Sequence, residues 1–254
     1  MHESALLDLA AALAQQAASV ILEIRNRGFR VERKADNSVV TEADKAAEAI
    51  LLAGLRSAIP GCTVVAEEEA ASGVLTGATP EFWLVDPLDG TREFTSGGDD
   101  FAVNVGLVRG GIPVLGVVAV PATGEIFGGI AGIGAWRQKD GLRSPIGVRS
   151  CPPEGLTVVA SRHHGDPALL QHFLDQRRVA RVVNFGSSLK FCRIAEGQAD
   201  AYPRFGRTME WDTCAPHAVL LAAGGSVETP DGQPLLYGKP GWENPHFVCW
   251  GARP

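Results

Sequence analysis

Apolar residues recur at Leu6, Leu9, Leu13, Ala17, Val20 and Ile24, in steps of three and four. That period lays one apolar stripe along a helix near the amino terminus. A second helix is predicted over residues 41–59, rich in alanine and leucine and stopped by Pro60-Gly61. The period then changes. Residues 63–66, 82–85, 101–108, 114–120 and 125–130 read as strands separated by Gly and Pro punctuation. Beyond Ser144 the elements alternate: strand 156–160, helix 167–178, strand 181–184, helix 189–197, a short strand 201–204, and a helix after Trp211 as far as Gly224-Gly225. Helices followed by a strand-rich run and then alternation predict a layered α/β (α+β) chain of two packed subdomains. Their expected extents are residues 1–145 and 146–254, with the boundary near 141–153.

Composition narrows the class. The 254 residues suffice for a sizeable core, and 45% hydrophobic with 20% charged residues is a globular composition rather than a disordered one. No apolar run reaches the ~18 residues of a membrane span, and the first ten residues lack the basic stretch of a signal peptide. A cytoplasmic protein without integral membrane association is expected. Lys+Arg 23 against Asp+Glu 29 gives a net charge of −6, which disfavours a nucleic-acid polymer as partner. The five cysteines (Cys62, Cys151, Cys192, Cys214, Cys249) are scattered without a C-x-x-C pair, which argues against a disulfide framework or structural zinc.

The chemistry concentrates in Trp83-Leu84-Val85-Asp86-Pro87-Leu88-Asp89-Gly90-Thr91, where an apolar strand runs into two carboxylates three positions apart. Pro87 and Gly90 force tight turns there, so both acids can converge on one point. Gly90 frees consecutive N–H groups to face an anion, and Thr91 adds a hydroxyl. Glu67-Glu68-Glu69 follows another short strand, Asp212 heads a small-residue helix, and Asp44 lies in Thr41-Glu42-Ala43-Asp44. Each has a plain structural reading: a solvated acidic loop, a helix N-cap and a capping box. Taken together, acids at the ends of separate elements suit a hard divalent cation, magnesium first and manganese second.

These residues resemble the signature blocks of the lithium-sensitive inositol monophosphatase superfamily: Glu67-Glu68, then Asp86-Pro87-Leu88-Asp89-Gly90-Thr91, then Trp211-Asp212. The resemblance covers nearly the whole chain and implies an αβαβα sandwich sugar-phosphatase fold. It implies Glu67, Asp86, Asp89 and Asp212 as side-chain metal ligands, and Leu88 as a ligand through its carbonyl. Two or three Mg2+ ions are implied, with Mn2+ as a substitute and Li+ as inhibitor. Asp44 and Thr91 resemble the pair that activates the attacking water, Gly90 and Thr91 the phosphate-facing amides, and Glu68 a supporting group near the metals.

Further stretches resemble the CysQ-type 3′(2′),5′-bisphosphate nucleotidase branch: WLVDPLDGTREF at 83–94, Val103-Asn104, GSSLKF at 186–191, AEGQ at 195–198 and YPRFG at 202–206. Ser187 and Lys190 open a predicted helix, where hydroxyls and N–H groups suit an anion. Arg204 adds a bidentate phosphate fork. The branch implies hydrolysis of the 3′-phosphate of 3′-phosphoadenosine 5′-phosphate in sulfur assimilation, with Lys190 and Arg204 on the second phosphate. Inositol-phosphate, other sugar-phosphate and histidinol-phosphate hydrolysis stay open, as does a phosphonucleotide-binding sensor without turnover. The oligomeric state is open too, a homodimer included.

Pro216 departs from the family pattern and predicts a delayed start or a kink in the helix after Trp211. Gly132-Ile133-Gly134 lacks the third glycine of a dinucleotide loop. The segment 161–166 has the residue types of a hydrolase triad but reads as a surface turn. His217, on an apolar helix, reads as a satisfied core imidazole. The stretch 70–80 carries no periodicity from which to assign a conformation.

Overall fold

The computed structural model describes residues 1–34, 38–74, 76–161 and 165–253. The chain begins with α1 (Glu3–Arg27), β1 (Val31–Arg33), β2 (Val39–Thr41) and α2 (Glu42–Ala58). It continues through β3 (Val64–Ala66), α3 (Glu67–Ala71), β4 (Glu81–Asp89), α4 (Thr91–Thr95), β5 (Ala102–Arg109), β6 (Ile112–Val120), β7 (Glu125–Ile130), β8 (Gly134–Lys139) and β9 (Leu142–Ile146). The carboxyl-terminal part holds β10 (Leu156–Ser161), α5 (Pro167–Asp175), β11 (Val179–Phe185), α6 (Leu189–Ala195), β12 (Ala201–Arg204), α7 (Glu210–Ala222), β13 (Ser226–Glu228) and β14 (Phe247–Trp250).

Strands β3 to β9 form a seven-stranded sheet in sequence order, and β11-β10-β12-β14-β13 form a second, five-stranded sheet. Three apolar clusters set the layers. Helices α1 and α2 bury Ala14, Ile21 and Leu51 against Val85, Val103 and Val117 on one face of the large sheet. Its other face contributes Leu84, Val118 and Phe127 to a cluster with α6, α7 and the inner face of the small sheet. Phe173 of α5 covers the outer face of the small sheet through Leu156, Val158 and Val248. The order is therefore helix, sheet, helix, sheet, helix, the αβαβα sandwich implied by the resemblance.

Local packing explains how the layers approach. Along α1 the fully buried line is Ala10, Ala14, Ala17 and Ile21, with Leu9 and Val20 half-buried at its margins. The helix is long and apolar enough by length and composition to cross a bilayer, but its apolar face packs on the sheet. On the opposite side, α7 lies almost directly on sheet backbone. A Cβ added at Gly106 of β5 would stand 2.6 Å from Cys214 Sγ, and one at Gly116 of β6 would stand 2.2 Å from Ala215 O. One at Gly129 of β7 would meet Ala222 Cβ at 2.6 Å. Three glycines on adjacent strands thus leave a groove for one helix.

Several expectations are corrected. The acidic triplet is not a loop: Glu67–Ala71 is the short helix α3, which also takes in the start of the stretch 70–80. Leu75 lies outside the described residues, as do Arg162, His163 and His164 of the discounted segment 161–166. Strand β4 does not stop at Val85 but continues to Asp89, with Asp86 paired to Asn104 and Asp89 to Ala102. Pro87 and Leu88 there oppose Val103 alone, a bulge that suits a proline without an N–H. Helix α7 starts at Glu210 and runs through Pro216 without a delayed start. Its contact with the glycine groove outweighs the local cost of proline. The pairs β1–β2, β8–β9 and β13–β14 and the helix α4 carried too little alternation or length to be predicted.

Candidate active site

A cavity of about 550 Å³ opens where β3 and β4 end, beneath the amino-terminal turns of α6 and α7. Every predicted site residue lines it except Asp44 and Glu68, which stand behind its wall. Parallel pairing sets Ala66 opposite Val85, so that Glu67 and Asp86 leave neighbouring strands at the same level. The β4 bulge then re-aims Leu88 and Asp89. Gly90 follows with φ 94°, and a Cβ there would stand 2.9 Å from Asp100 O. Only glycine makes this turn at such close approach. Asp212 arrives from the first turn of α7, where its Oδ2 accepts the Met209 N–H at 2.8 Å.

The acids reach one another electrostatically. Burial raises the Asp86 carboxyl well above the usual range, and the charges of Glu67, Asp89 and Asp212 push it the same way. Asp212 rises to about 8 through burial, Asp89 and Glu67. Burial also raises Glu67, partly offset by Lys34. Such mutual repulsion among buried carboxylates calls for positive charge. The donors are all oxygens, the chemistry of magnesium or manganese rather than zinc. The Leu88 carbonyl accepts the Thr91 hydroxyl at 3.0 Å, and a carbonyl has a second lone pair. Among the described residues, no three His, Cys, Asp or Glu side chains close into a ready ligand cage. The donor chemistry fits a hard cation, and the carboxylates share a pocket rather than a finished coordination sphere.

Part of the reason is Lys34, which sequence reasoning missed. Its ammonium meets Glu67 Oε1 at 2.8 Å and Glu68 Oε1 at 2.7 Å. Burial alone would lower its pKa, but the two carboxylates reverse that and raise it. Within Glu32-Arg33-Lys34 nothing marked it apart from a solvated charge. Glu48 was missed as well. Its carboxylate accepts the N–H groups of Glu68 at 2.7 Å and Glu69 at 2.9 Å, and so holds the amino end of α3.

The proposed water-activating pair meets. Thr91 Oγ1 lies 3.0 Å from Asp44 Oδ1, while Asp44 Oδ2 accepts the N–H and hydroxyl of Thr41, each at 2.7 Å. Asp44 is buried, and burial raises its pKa against the pull of these hydrogen bonds. The capping box is formed, and the same carboxylate also meets Thr91 through its other oxygen.

Across the cavity, Ser187 adopts φ 54° and donates its hydroxyl to Asp89 Oδ2 at 2.7 Å, beside the Ser188 N–H at 2.5 Å. Lys190 is buried, with Nζ 2.5 Å from Ser187 O and 5.3 Å from the Tyr202 ring centre. Burial lowers its pKa to about 8, against the charge of Asp89. Arg204 is buried on β12 and donates Nη2 to Arg207 O at 2.8 Å. Of the discounted signals, His217 is buried with Nδ1 2.9 Å from the Tyr237 hydroxyl, and Gly132-Ile133-Gly134 turns the β7–β8 hairpin.

Fold and site together define a phosphatase of the inositol monophosphatase family: the family model matches residues 2–246, and the chain belongs to that family. Among curated relatives, the 3′(2′),5′-bisphosphate nucleotidase CysQ of Escherichia coli K12 is 42% identical over 234 residues, 91% of this chain and 94% of its own. Among solved structures, CysQ from Bacteroides thetaiotaomicron superposes with a TM-score of 0.81 at 31% identity, covering 98% of both chains. Inositol monophosphatase from Anabaena (Nostoc) sp. PCC 7120 gives 0.78 at 27% identity, covering 98% of this chain and 92% of its own.

Proposed function

We propose that this enzyme removes the 3′-phosphate of 3′-phosphoadenosine 5′-phosphate in a magnesium-dependent reaction, giving AMP and phosphate. The observation that carries this reading is the presence in one cavity of an acidic metal-type cluster and two buried cations, Lys190 and Arg204. Likeness to CysQ over 91% of the chain supports the same substrate. A second phosphate would give both buried cations an anionic partner in the substrate, which a monophosphate held at the acidic cluster would not.

Glu67, Asp86, Asp89, Asp212 and the Leu88 carbonyl would hold magnesium, manganese substituting and lithium inhibiting. When bound, the ions would neutralise the phosphate and acidify a water. Thr91 and Asp44 receive the proton: the Thr91 hydroxyl touches Asp44 Oδ1, and the raised pKa of that carboxyl suits it to hold a proton. The Gly90 and Thr91 amides orient the phosphate. Ser187, Lys190 and Arg204 hold the second phosphate. Residues 1–145 and 146–254 act as two subdomains that complete the site between them, in a cytoplasmic enzyme of sulfur assimilation.

Phosphate release with magnesium tests the proposal, with 3′-phosphoadenosine 5′-phosphate, AMP, inositol 1-phosphate and histidinol phosphate compared at matched concentration. A strong preference for the bisphosphate is expected. Preference for inositol 1-phosphate would overturn the substrate assignment and leave the metal chemistry intact.

A further inference from the structure

Gly241 and Trp242 are consecutive residues with positive φ, 78° and 61°. Glycine adopts such a backbone freely, but for a residue as bulky as tryptophan it is a true outlier. Strain of this kind persists only where the surroundings over-determine it. Here they do. Before the turn, the Gly238 and Lys239 N–H groups donate to the Glu210 carboxylate at 2.7 and 2.9 Å, and Trp242 N donates to Lys239 O at 3.1 Å. After it, Glu243 bridges to Met209, and Asn244 Nδ2 donates to Met209 O at 2.8 Å and Thr213 Oγ1 at 3.0 Å.

Apart from the Trp242–Lys239 bond within the loop, those anchors belong to the segment around Asp212. Glu210 is fully buried, two residues before Asp212, and Thr213 follows it directly. The loop that carries Trp242 is therefore fastened to the same helical turn that delivers a proposed metal ligand. The indole meets the Phe82 ring edge-on, with centroids 5.6 Å apart, and Trp242 stays only partly buried as part of the cavity wall. A plain core role would bury the ring fully, and a plain turn would use a small residue at positive φ.

We propose that Trp242 is a specificity-determining residue, a fixed aromatic platform on which the purine base of the substrate stacks. This rests on the reading of the site as a nucleotide phosphatase. A flat, partly buried ring held on the cavity wall suits a base, because every base has a π-face and stacking needs no hydrogen-bond register. A polyol offers no such face. The ring thus separates nucleotides from sugar phosphates by an attraction that the cations cannot supply.

The test uses the magnesium-loaded enzyme, Trp242→Ala and Trp242→Phe. Calorimetric titration with AMP, which lacks the 3′-phosphate, reads base binding without turnover. Trp242→Ala is expected to weaken AMP binding about tenfold, in keeping with the loss of one base–aromatic stack, and Trp242→Phe to recover most of it. The ratio of kcat/KM for 3′-phosphoadenosine 5′-phosphate to that for inositol 1-phosphate should fall by a similar factor in Trp242→Ala. Should that variant fail to fold, Trp242→Gly removes the ring while accepting the positive φ. AMP affinity within twofold of the parent in the ring-less variant, or equal loss on both substrates, would overturn the proposal. If the parent enzyme releases no phosphate from the bisphosphate, the functional reading fails instead, and AMP titration still decides the platform by itself.

Discussion

Asp44 Oδ1 lies 3.0 Å from the Thr91 hydroxyl while its other oxygen caps its own helix through Thr41. One carboxylate thus joins helix α2, on the outer layer, to the first residue after the β4 turn. Asp44→Asn is expected to lower kcat by about 100-fold or more, the scale of losing a positioned general base. Thr41→Ala should cost about 1 kcal/mol of stability through the lost cap, with a much smaller effect on kcat. Phosphate-release kinetics beside thermal melts separate the two roles. Equal kinetic losses in both variants would show that Asp44 acts only as a cap.

The carboxylate cluster predicts that magnesium stabilises the fold. A cation that binds only the native state adds about 2.7 kcal/mol at a hundredfold excess over Kd. On a chain of this size that raises Tm by several degrees. Melts in magnesium and in chelator, at matched ionic strength, measure it. Asp89→Asn should stay folded, lose most of the shift and lose at least ~100-fold in turnover. A full shift in that variant would remove Asp89 from the metal site.

Lys190 and Arg204 predict a split between KM and kcat. Lys190→Ala and Arg204→Ala should each raise KM for the bisphosphate about tenfold or more, on the scale of a charge-assisted hydrogen bond. The rise for inositol 1-phosphate should be much smaller. Equal losses on both substrates would show that neither cation reads a second phosphate.

Glu48 predicts a stability that depends on pH. Burial raises its carboxyl from an ordinary 4.5 to about 7. The folded chain therefore binds more protons there than the unfolded chain between those values. Its contribution is complete below pH 4.5 and is lost as pH rises toward 7. Gln does not titrate, so chelated parent should lose stability relative to Glu48→Gln across that window. The comparison cancels His217, whose pKa burial lowers to about 3 and whose trend is opposite. Denaturant melts at several pH values check it, and a parallel pH dependence of the two proteins would refute it.

Much of this molecule was legible in its sequence, for identifiable reasons. The long helices and central strands carry strong periods, and Gly and Pro bound them. The metal-type acids cluster in β4 and at two element starts, so short-range pattern brought them forward. What escaped was long-range or backbone-borne. Lys34 gains its meaning only from Glu67 and Glu68, on a different element. Trp242 gains its own from a dihedral angle that no residue type announces. Pro216 by itself predicts a delayed start or a kink, because the glycine groove beneath α7 is invisible one residue at a time.

That groove has a consequence for the proposed metal site. Between α7 and strands β5, β6 and β7 there is no room for one added methyl group at Gly106, Gly116 or Gly129. The seating of α7, the helix that carries Asp212, is thus fixed by close approach to sheet backbone at three glycines. Ion selectivity between magnesium and larger cations is a matter of cavity size. If the carboxylates hold a cation as proposed, that dimension depends on three glycines where α7 meets the sheet.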